Sequence, residues 1–117
     1  MSEHDDQKAV FDWAKYSANP VLECLFAIPN ASKRTFAMTN WLKAEGMKSG
    51  VPDMCLPVAR GRFHGLFIEQ KVKPNRQEPE QKQWEARLTQ QGYAYWLSWS
   101  AKETIEVIES YLAGRME

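Results

Sequence analysis

Apolar residues recur with helical spacing in residues 3–17, and three further segments are bounded by residues that commonly start or end helices. The predicted helices cover residues 3–17, 31–46, 78–91 and 101–113. Ser2 and Ser100 are suitable N-caps for the first and last of them, and acidic residues fill the first turn after Ser2. Gly46 and Gly92 stand where the second and third helices should end, as glycine commonly does.

Four short apolar runs lie between these helices and predict β-strands. They cover residues 21–28, 50–58, 65–72 and 93–98. Only a tight turn around Gly61 separates the second run from the third, so these two strands should form a hairpin. The order α-β-α-β-β-α-β-α predicts a mixed four-stranded sheet flanked by helices, in the α/β or α+β class.

Size and composition indicate one soluble globular domain. The chain has 117 residues, of which 44% are hydrophobic and 26% charged. The formal net charge is zero, so overall charge gives no support for a nucleic-acid partner. Between Arg60 and Arg76, however, basic residues surround a single acid, Glu69. Such a stretch can attract a phosphate chain, although a solvated charged loop would show the same pattern.

The two cysteines and the N-terminus suggest where the protein works. Cys24 and Cys55 lack metal-ligand spacing and lie in apolar runs, so we predict buried, reduced thiols of an intracellular protein. The N-terminus lacks the apolar core of a signal peptide, and no apolar run approaches membrane-spanning length. We expect a cytoplasmic protein with no membrane partner. No glycine-rich phosphate loop followed by Lys-Ser/Thr is present, so no nucleotide cofactor is expected.

Two carboxylates and a lysine are predicted to meet on the hairpin. Glu69 and Lys71 are two positions apart on one strand, so they project from the same face, and strand pairing can bring Asp53 beside them. Carboxylate oxygens suit a hard divalent cation, which polarises a phosphodiester and lowers the pKa of bound water. Lys71 can orient that water or offset the charge on the phosphorane. The plainer alternative is an exposed ion pair and a Pro-Asp turn.

The segments Pro52-Asp53 and Glu69-Gln70-Lys71 resemble the PD-(D/E)xK nuclease signature. Their surroundings resemble the VRR-NUC domain, the virus-type replication-repair nuclease. Further matching segments follow the family's order, at residues 27–30, 50–53, 64–71, 80–81 and 92–93. The resemblance implies a restriction-endonuclease-like core over residues 1–117 and DNA cleavage with Mg²⁺ or Mn²⁺. It also implies that Asp53, Glu69 and the backbone carbonyl of Gln70 bind the metal, with Lys71 in a catalytic role.

The resemblance extends to the first and third predicted helices. Glu3 and Gln7 match the family's Glu-x-x-x-Gln spacing and share one helical face. Glu3 would supply another carboxylate to the metal or its waters, although Asp5 or Asp6 nearby could supply it instead. Gln7 would hold a phosphate or Glu3 itself. Gln81 matches a recurrent polar position that would act at the scissile phosphate or on the signature lysine. For each of them, the alternative is an ordinary solvent-facing residue.

One residue departs from the family pattern. Gln70 occupies the middle of the Glu-x-Lys triplet, where the family usually has an apolar residue. Because strand side chains alternate, its side chain should point to the opposite face of the sheet. We therefore expect the packing beneath the site to be more polar than usual.

DNA is the expected partner. Candidates for phosphate contacts are Lys33, Arg34, Arg60, Arg62, His64, Lys73 and Arg76. A lone histidine at the start of a strand is more often structural, and this is the alternative for His64. Free-standing family members resemble homodimeric Holliday-junction-cleaving enzymes. The resemblance thus implies a homodimer acting on branched or junction DNA, since a dimer's two-fold symmetry mirrors that of a four-way junction.

The five tryptophans should lie mostly in the core, with one or two at a dimer interface.

Two alternative functions remain open. One is a non-catalytic nucleic-acid-binding module on a nuclease fold. The other is a nuclease for flaps, nicks or linear duplex.

Overall fold

The computed structural model describes residues 2–30 and 35–116 of the chain. The helices are α1 (Glu3–Tyr16), α2 (Phe36–Ala44), α3 (Pro79–Gln90) and α4 (Ala101–Leu112), and a 3₁₀ helix covers Pro20–Cys24. The strands are β1 (Phe26–Ala27), β2 (Met54–Leu56), β3 (Leu66–Gln70) and β4 (Ala94–Ser98). Their order is the one predicted from the sequence, and the fold belongs to the mixed α/β class.

The helix ends follow the capping chemistry expected from the sequence. Ser2 Oγ accepts a hydrogen bond from Asp5 N at 3.0 Å, and Asp5 Oδ2 accepts one from Ser2 N at 3.2 Å. Ser100 Oγ accepts one from Glu103 N at 3.1 Å at the start of α4. Gly46, with φ +101°, lies just beyond the end of α2, in a conformation that glycine adopts most readily.

The predicted strand over residues 21–28 is wrong for its first half. Asn19 Oδ1 accepts a hydrogen bond from Val21 N at 3.1 Å, and Pro20 occupies the first helical position, so a 3₁₀ helix forms there instead. Only Phe26–Ala27 pairs with β2. The apolar run therefore reflects burial of Leu22 and Leu25 rather than extended backbone.

The four strands form one mixed sheet in the order β1-β2-β3-β4. The β1–β2 and β2–β3 pairs are antiparallel and the β3–β4 pair is parallel. Met54 pairs with Ile68 and Leu56 with Leu66, which confirms the predicted hairpin. The parallel β4 returns through α3, because parallel neighbours need a crossover connection.

The two faces of the sheet have different roles. One face packs against α1 and α4 in an apolar core of Val10, Leu22, Leu25, Met54, Leu56, Leu66, Ile68, Ala94, Val107, Ile108 and Tyr111. Since strand side chains alternate, the residues between these positions project from the opposite face. That second face carries Glu69 and Tyr95, and α3 lies over it, with Gln77 linking Tyr95 to Glu85 of α3.

Two expectations about buried residues need correction. Cys24 is exposed, because the 3₁₀ helix turns it outward, whereas Cys55 is buried as expected and burial raises the pKa of its thiol. In the part of the chain that the structure describes, no tryptophan belongs to the buried core, and Trp41 and Trp96 are exposed. Trp96 Nε1 donates to Glu103 Oε2 at 2.8 Å, which shows why an indole with a polar partner stays at the surface.

Within residues 2–30 and 35–116, no helix is both long enough and apolar enough to span a bilayer.

Candidate active site

Asp53 is fixed at the start of β2 by backbone and side-chain hydrogen bonds. Its N–H donates to Ile68 O at 3.0 Å, and its carbonyl accepts from Ile28 N at 2.8 Å. Its Oδ2 accepts from Gln70 N at 2.7 Å, and the residue is only 6% exposed. The carboxylate is therefore held against the backbone amide that follows Glu69.

Glu69 and Lys71 complete a buried charged trio with Asp53. The pairing of Met54 with Ile68, continued by one residue, sets Asp53 opposite Glu69 on the same sheet face. Glu69 is 2% exposed and Lys71 is 7% exposed. The Lys71 N–H donates to Ser98 O at 2.8 Å, which continues the β3–β4 ladder past the end of β3. The structure thus brings together the three residues that the sequence singled out.

The oxygen atoms near this trio suit a hard divalent cation. Asp53 and Glu69 supply two carboxylates at adjoining positions, and the Gln70 carbonyl lies between Glu69 and Lys71 in the chain. Across residues 2–30 and 35–116, no group of three or more His, Cys, Asp and Glu side chains could hold a metal ion. Such a cation would therefore have two carboxylates, a carbonyl and waters around it, which is a common arrangement for Mg²⁺.

A cavity beside Asp53 is formed by the first two turns of α1. Glu3, His4, Gln7, Lys8, Phe11 and Asp53 line it. Glu3 Oε2 accepts a hydrogen bond from Asn75 Nδ2 at 3.0 Å, which ties α1 to the loop after β3. Both Glu3 and Gln7 therefore share a cavity with Asp53.

The other two acids of α1 are placed differently. Asp5 forms the helix cap, and its hydrogen bonds with the backbone and side chain of Ser2 lower the pKa of its carboxyl. Asp6 is buried but does not line the cavity that contains Asp53. Of the three acids, Glu3 is the one that lines the cavity with Asp53.

Lys71 opens into a second cavity at the N-terminus of α3. Its lining residues are Asn30, Ser49, Gly50, Lys71, Glu78, Pro79, Glu80 and Gln81. Gln81 is buried, and its Oε1 accepts from Glu78 N at 2.7 Å as part of the α3 cap. Its amide oxygen is thus committed to the helix, which leaves the NH₂ group as the end able to meet a substrate.

Gly50 sets how closely the segment before β2 approaches α3. Its φ is +79°, and an added Cβ would lie 2.6 Å from Glu80 Cβ and 2.8 Å from the Glu80 carbonyl carbon. We expect Gly50→Ala to lower the free energy of unfolding by about 2 kcal/mol or more, from backbone strain plus this clash. Gly46→Ala is the matched control, because φ is +101° there and nothing lies within 4 Å of the added Cβ. It should cost only about 1 kcal/mol.

Urea unfolding of the two glycine variants measures this difference. Equal losses of stability would show that the close approach of Gly50 to Glu80 does not constrain this side of the site.

The side of the sheet beneath the trio is polar, as the departure at Gln70 predicted. Gln70 is fully buried, and its Oε1 accepts from Thr104 Oγ1 at 2.7 Å. Ser98 Oγ lies 2.7 Å from the same Thr104 hydroxyl. These hydrogen bonds connect β3 and β4 to α4. The Gln70 side chain is therefore held on the face of the sheet that packs against α4, while its backbone N–H is held by the Asp53 carboxylate.

The candidate phosphate contacts fall at two ends of the hairpin. Arg60, Arg62 and His64 lie near the turn, and five residues of extended chain place His64 about 16 Å from Glu69. Arg60 Nε donates to Leu112 O at 3.1 Å, and Arg62 lies 4.8 Å from the centre of the Phe63 ring.

The His64 ring is exposed and makes an edge contact with Tyr93, which supports its structural alternative. Lys73 and Arg76, by contrast, are exposed in the loop that follows β3, at the same end as the trio. Lys33 and Arg34 lie outside the described residues.

Some residues around the trio were missed in the sequence. Asn75 contacts Glu3, and Gln77 Nε2 donates to Tyr95 Oη at 3.3 Å and to Glu85 Oε1 at 2.9 Å. Burial raises the pKa of Tyr95, and the charges of Glu69, Glu85 and Asp53 raise it further. Alternation along β4 could have placed Tyr95 on the face of Glu69, but no local pattern reveals the contacts of the loop residues.

The chain thus folds as a mixed sheet with buried carboxylates at the end of a hairpin and helices on both faces. The sequence profile of the VRR-NUC domain matches residues 2–98, so the chain belongs to the VRR-NUC domain family and has a nuclease-type fold. A solved structure described as a "VRR_NUC domain protein" is similar to this chain with a TM-score of 0.81 and 28% sequence identity. The similarity covers 97% of this chain and 89% of that one. No protein with a curated description matches the chain.

Proposed function

We propose that this protein is a divalent-metal-dependent DNA endonuclease. Asp53, Glu69 and Lys71 would form the active site at which it hydrolyses phosphodiester bonds. The observation that carries the proposal is the burial of these three charged side chains at one end of a single sheet face. Burying ionisable groups is costly unless they are compensated. The carboxylate oxygens of Asp53 and Glu69 are the kind of ligand that a hard divalent cation prefers.

Each group then has a chemical role. Asp53, Glu69 and the Gln70 carbonyl would hold Mg²⁺ or Mn²⁺, which polarises the phosphodiester and lowers the pKa of a bound water. Lys71 would orient the attacking water or offset negative charge on the phosphorane. Glu3 would bind waters of the metal from the α1 side, where it already shares a cavity with Asp53.

The remaining polar residues would hold the DNA backbone. Gln7 and the Gln81 NH₂ group line the two cavities that flank the trio, and Lys73 and Arg76 lie in the adjoining loop. Arg60, Arg62 and His64 are different. His64, at about 16 Å from Glu69, would meet DNA only some five base pairs from the cleaved bond, and Arg60 and Arg62 lie in the turn beyond it.

We further propose that the protein acts as a homodimer, and α2 supports this. No residue of α2 is buried, and Phe36, Met38 and Trp41 are 83%, 46% and 63% exposed. These three side chains alone would bury roughly 400 Å² per copy, about half of what each partner contributes to a stable interface. Aromatic residues and Met are enriched at such interfaces, and α2 carries no acidic residue.

Trp41→Glu is expected to convert the dimer to a monomer, because it places a charge in the centre of this apolar surface. Tyr16→Glu is the matched control, since Tyr16 is an 81% exposed aromatic residue on α1. Sedimentation velocity over a range of concentrations measures the mass of each protein. A monomeric wild type, or a Trp41→Glu protein that remains dimeric, would contradict the assignment of α2.

A panel of labelled DNA substrates tests the catalytic proposal. Four-way junction, flap, nicked, linear duplex and single-stranded DNA are incubated with Mg²⁺, Mn²⁺ or EDTA. We expect metal-dependent cleavage, with the junction cut fastest and at symmetric positions because the dimer presents two sites. Preferential cutting of flaps, nicks or linear duplex would overturn the junction preference alone. Binding without cleavage in either metal would overturn the nuclease proposal and favour a non-catalytic module.

A further inference from the structure

Tyr95 is placed to act on the trio from the neighbouring strand. It pairs with Phe67 of β3, and the next residue on the same face of β3 is Glu69. Gln77 Nε2 donates to Tyr95 Oη at 3.3 Å. Because Gln77 follows the C-terminal end of β3, this hydrogen bond draws the tyrosine hydroxyl toward the end where Glu69 and Lys71 lie.

A second hydrogen bond fixes the amide that holds the hydroxyl. Gln77 Nε2 also donates to Glu85 Oε1 at 2.9 Å, and Glu85 belongs to α3. The Tyr95 oxygen therefore acts as an acceptor toward Gln77, which leaves its proton free to be donated in another direction.

The surroundings keep that proton on the tyrosine. Burial raises the pKa of Tyr95, and the negative charges of Glu69, Glu85 and Asp53 raise it further, in that order. A phenol is neutral near pH 7, so the Tyr95 hydroxyl can serve as a hydrogen-bond donor. Of the three carboxylates, Glu69 has the largest electrostatic effect on Tyr95.

We propose that Tyr95 is a positioning residue that orients the Glu69 carboxylate for the metal by donating a hydrogen bond to it, directly or through one bound water. Gln77 and Glu85 hold the hydroxyl in place. A carboxylate oxygen engaged by Tyr95 turns the other toward the cation, as outer hydrogen-bond partners commonly do for metal ligands. This inference rests on the proposed function and adds to the same site a residue that orients one of its metal ligands.

The test compares Tyr95→Phe with Tyr93→Phe, an identical substitution two residues earlier on the same sheet face. The Tyr93 ring packs edge-on against His64 and Phe67. Isothermal titration calorimetry with Mn²⁺ measures the metal Kd of the full chain, and urea unfolding measures stability. We expect the Kd of Tyr95→Phe to rise about 10-fold and that of Tyr93→Phe to stay near the wild-type value.

Gln77→Leu gives a second, independent variant. It removes the donor that holds the Tyr95 hydroxyl, so it should weaken Mn²⁺ binding in the same direction. For both variants, the Mg²⁺ concentration that half-saturates cleavage should rise by the same factor as the Kd.

The outcomes separate this inference from the proposed function. Wild-type Mn²⁺ binding with an unchanged Kd in Tyr95→Phe would overturn the positioning role alone, and a loss of stability without a change in Kd would assign Tyr95 a purely structural role. A wild type that binds no Mn²⁺ would overturn the proposed function and this inference with it.

Discussion

Replacing Asp53 by asparagine is expected to reduce the rate of DNA cleavage by about 10³-fold, or about 4 kcal/mol of activation free energy. Asparagine removes the negative charge that would bind the cation. It keeps an oxygen that can still accept the hydrogen bond from Gln70 N, which is 2.7 Å long in this structure. The fold should therefore survive. Single-turnover rates at saturating metal, together with a thermal melt, measure both effects.

Asp12→Asn is the matched control for Asp53→Asn. Asp12 lies on α1 with its side chain 55% exposed, and it forms an i,i+4 ion pair with Lys8 at 2.8 Å. Such surface pairs contribute little, so cleavage and stability should remain close to the wild-type values. An Asp53→Asn protein that cleaves within tenfold of wild type would remove Asp53 from the catalytic machinery.

Replacing Glu69 by glutamine is expected to abolish the stabilisation that metal gives to the folded protein. A ligand that binds only the native state at 100 times its Kd adds about 2.7 kcal/mol. For a chain of this length, this corresponds to a rise in Tm of roughly 10 °C. Glu69 is 2% exposed, and glutamine would fill its place with a neutral group that binds Mg²⁺ poorly. Thermal melts with and without Mn²⁺ measure the shift.

The control for Glu69 is Glu80→Gln. Glu80 is exposed at the start of α3 and lines the cavity that contains Lys71. Its variant should keep the full shift in Tm, because its carboxylate is not among the proposed metal ligands. If Glu80→Gln loses the shift and Glu69→Gln keeps it, the cation binds at the N-terminus of α3 and the assigned ligands are wrong.

The trio could be found from the sequence because it depends on short-range rules. Alternation on one strand puts Glu69 and Lys71 on the same face, and the short hairpin turn sets which residue lies opposite them. Capping at Ser2 and Ser100 likewise depends on residues only three positions away. The departure at Gln70 also revealed the polar layer beneath the site, since a strand residue between Glu69 and Lys71 must face the other side.

The rest of the structure depends on contacts that no local pattern contains. The run over residues 21–28 has the apolar character of a strand, but the cap at Asn19 and the fixed φ of Pro20 favour a 3₁₀ turn. Arg60 belongs to a basic stretch that suggested DNA contact, yet it donates to Leu112, 52 residues away. Glu3 and Asn75 are separated by 72 residues, so their hydrogen bond follows only from the assembled fold.

The exposure of α2 could not be predicted from the sequence either. The sequence predicts a helix there, and most of the five tryptophans, of which Trp41 is one, were expected in the core. In the structure, α2 has no buried residue. The sequence therefore predicted that the helix exists but not what it contacts.

Crystals grown with Mn²⁺ and measured at a wavelength that gives anomalous scattering from manganese would show whether a cation binds between Asp53 and Glu69. We expect an anomalous peak with carboxylate oxygens of Asp53 and Glu69 and the Gln70 carbonyl at roughly 2.1 Å. A peak confined to other residues, or none at the trio at Mn²⁺ concentrations that support cleavage, would contradict it.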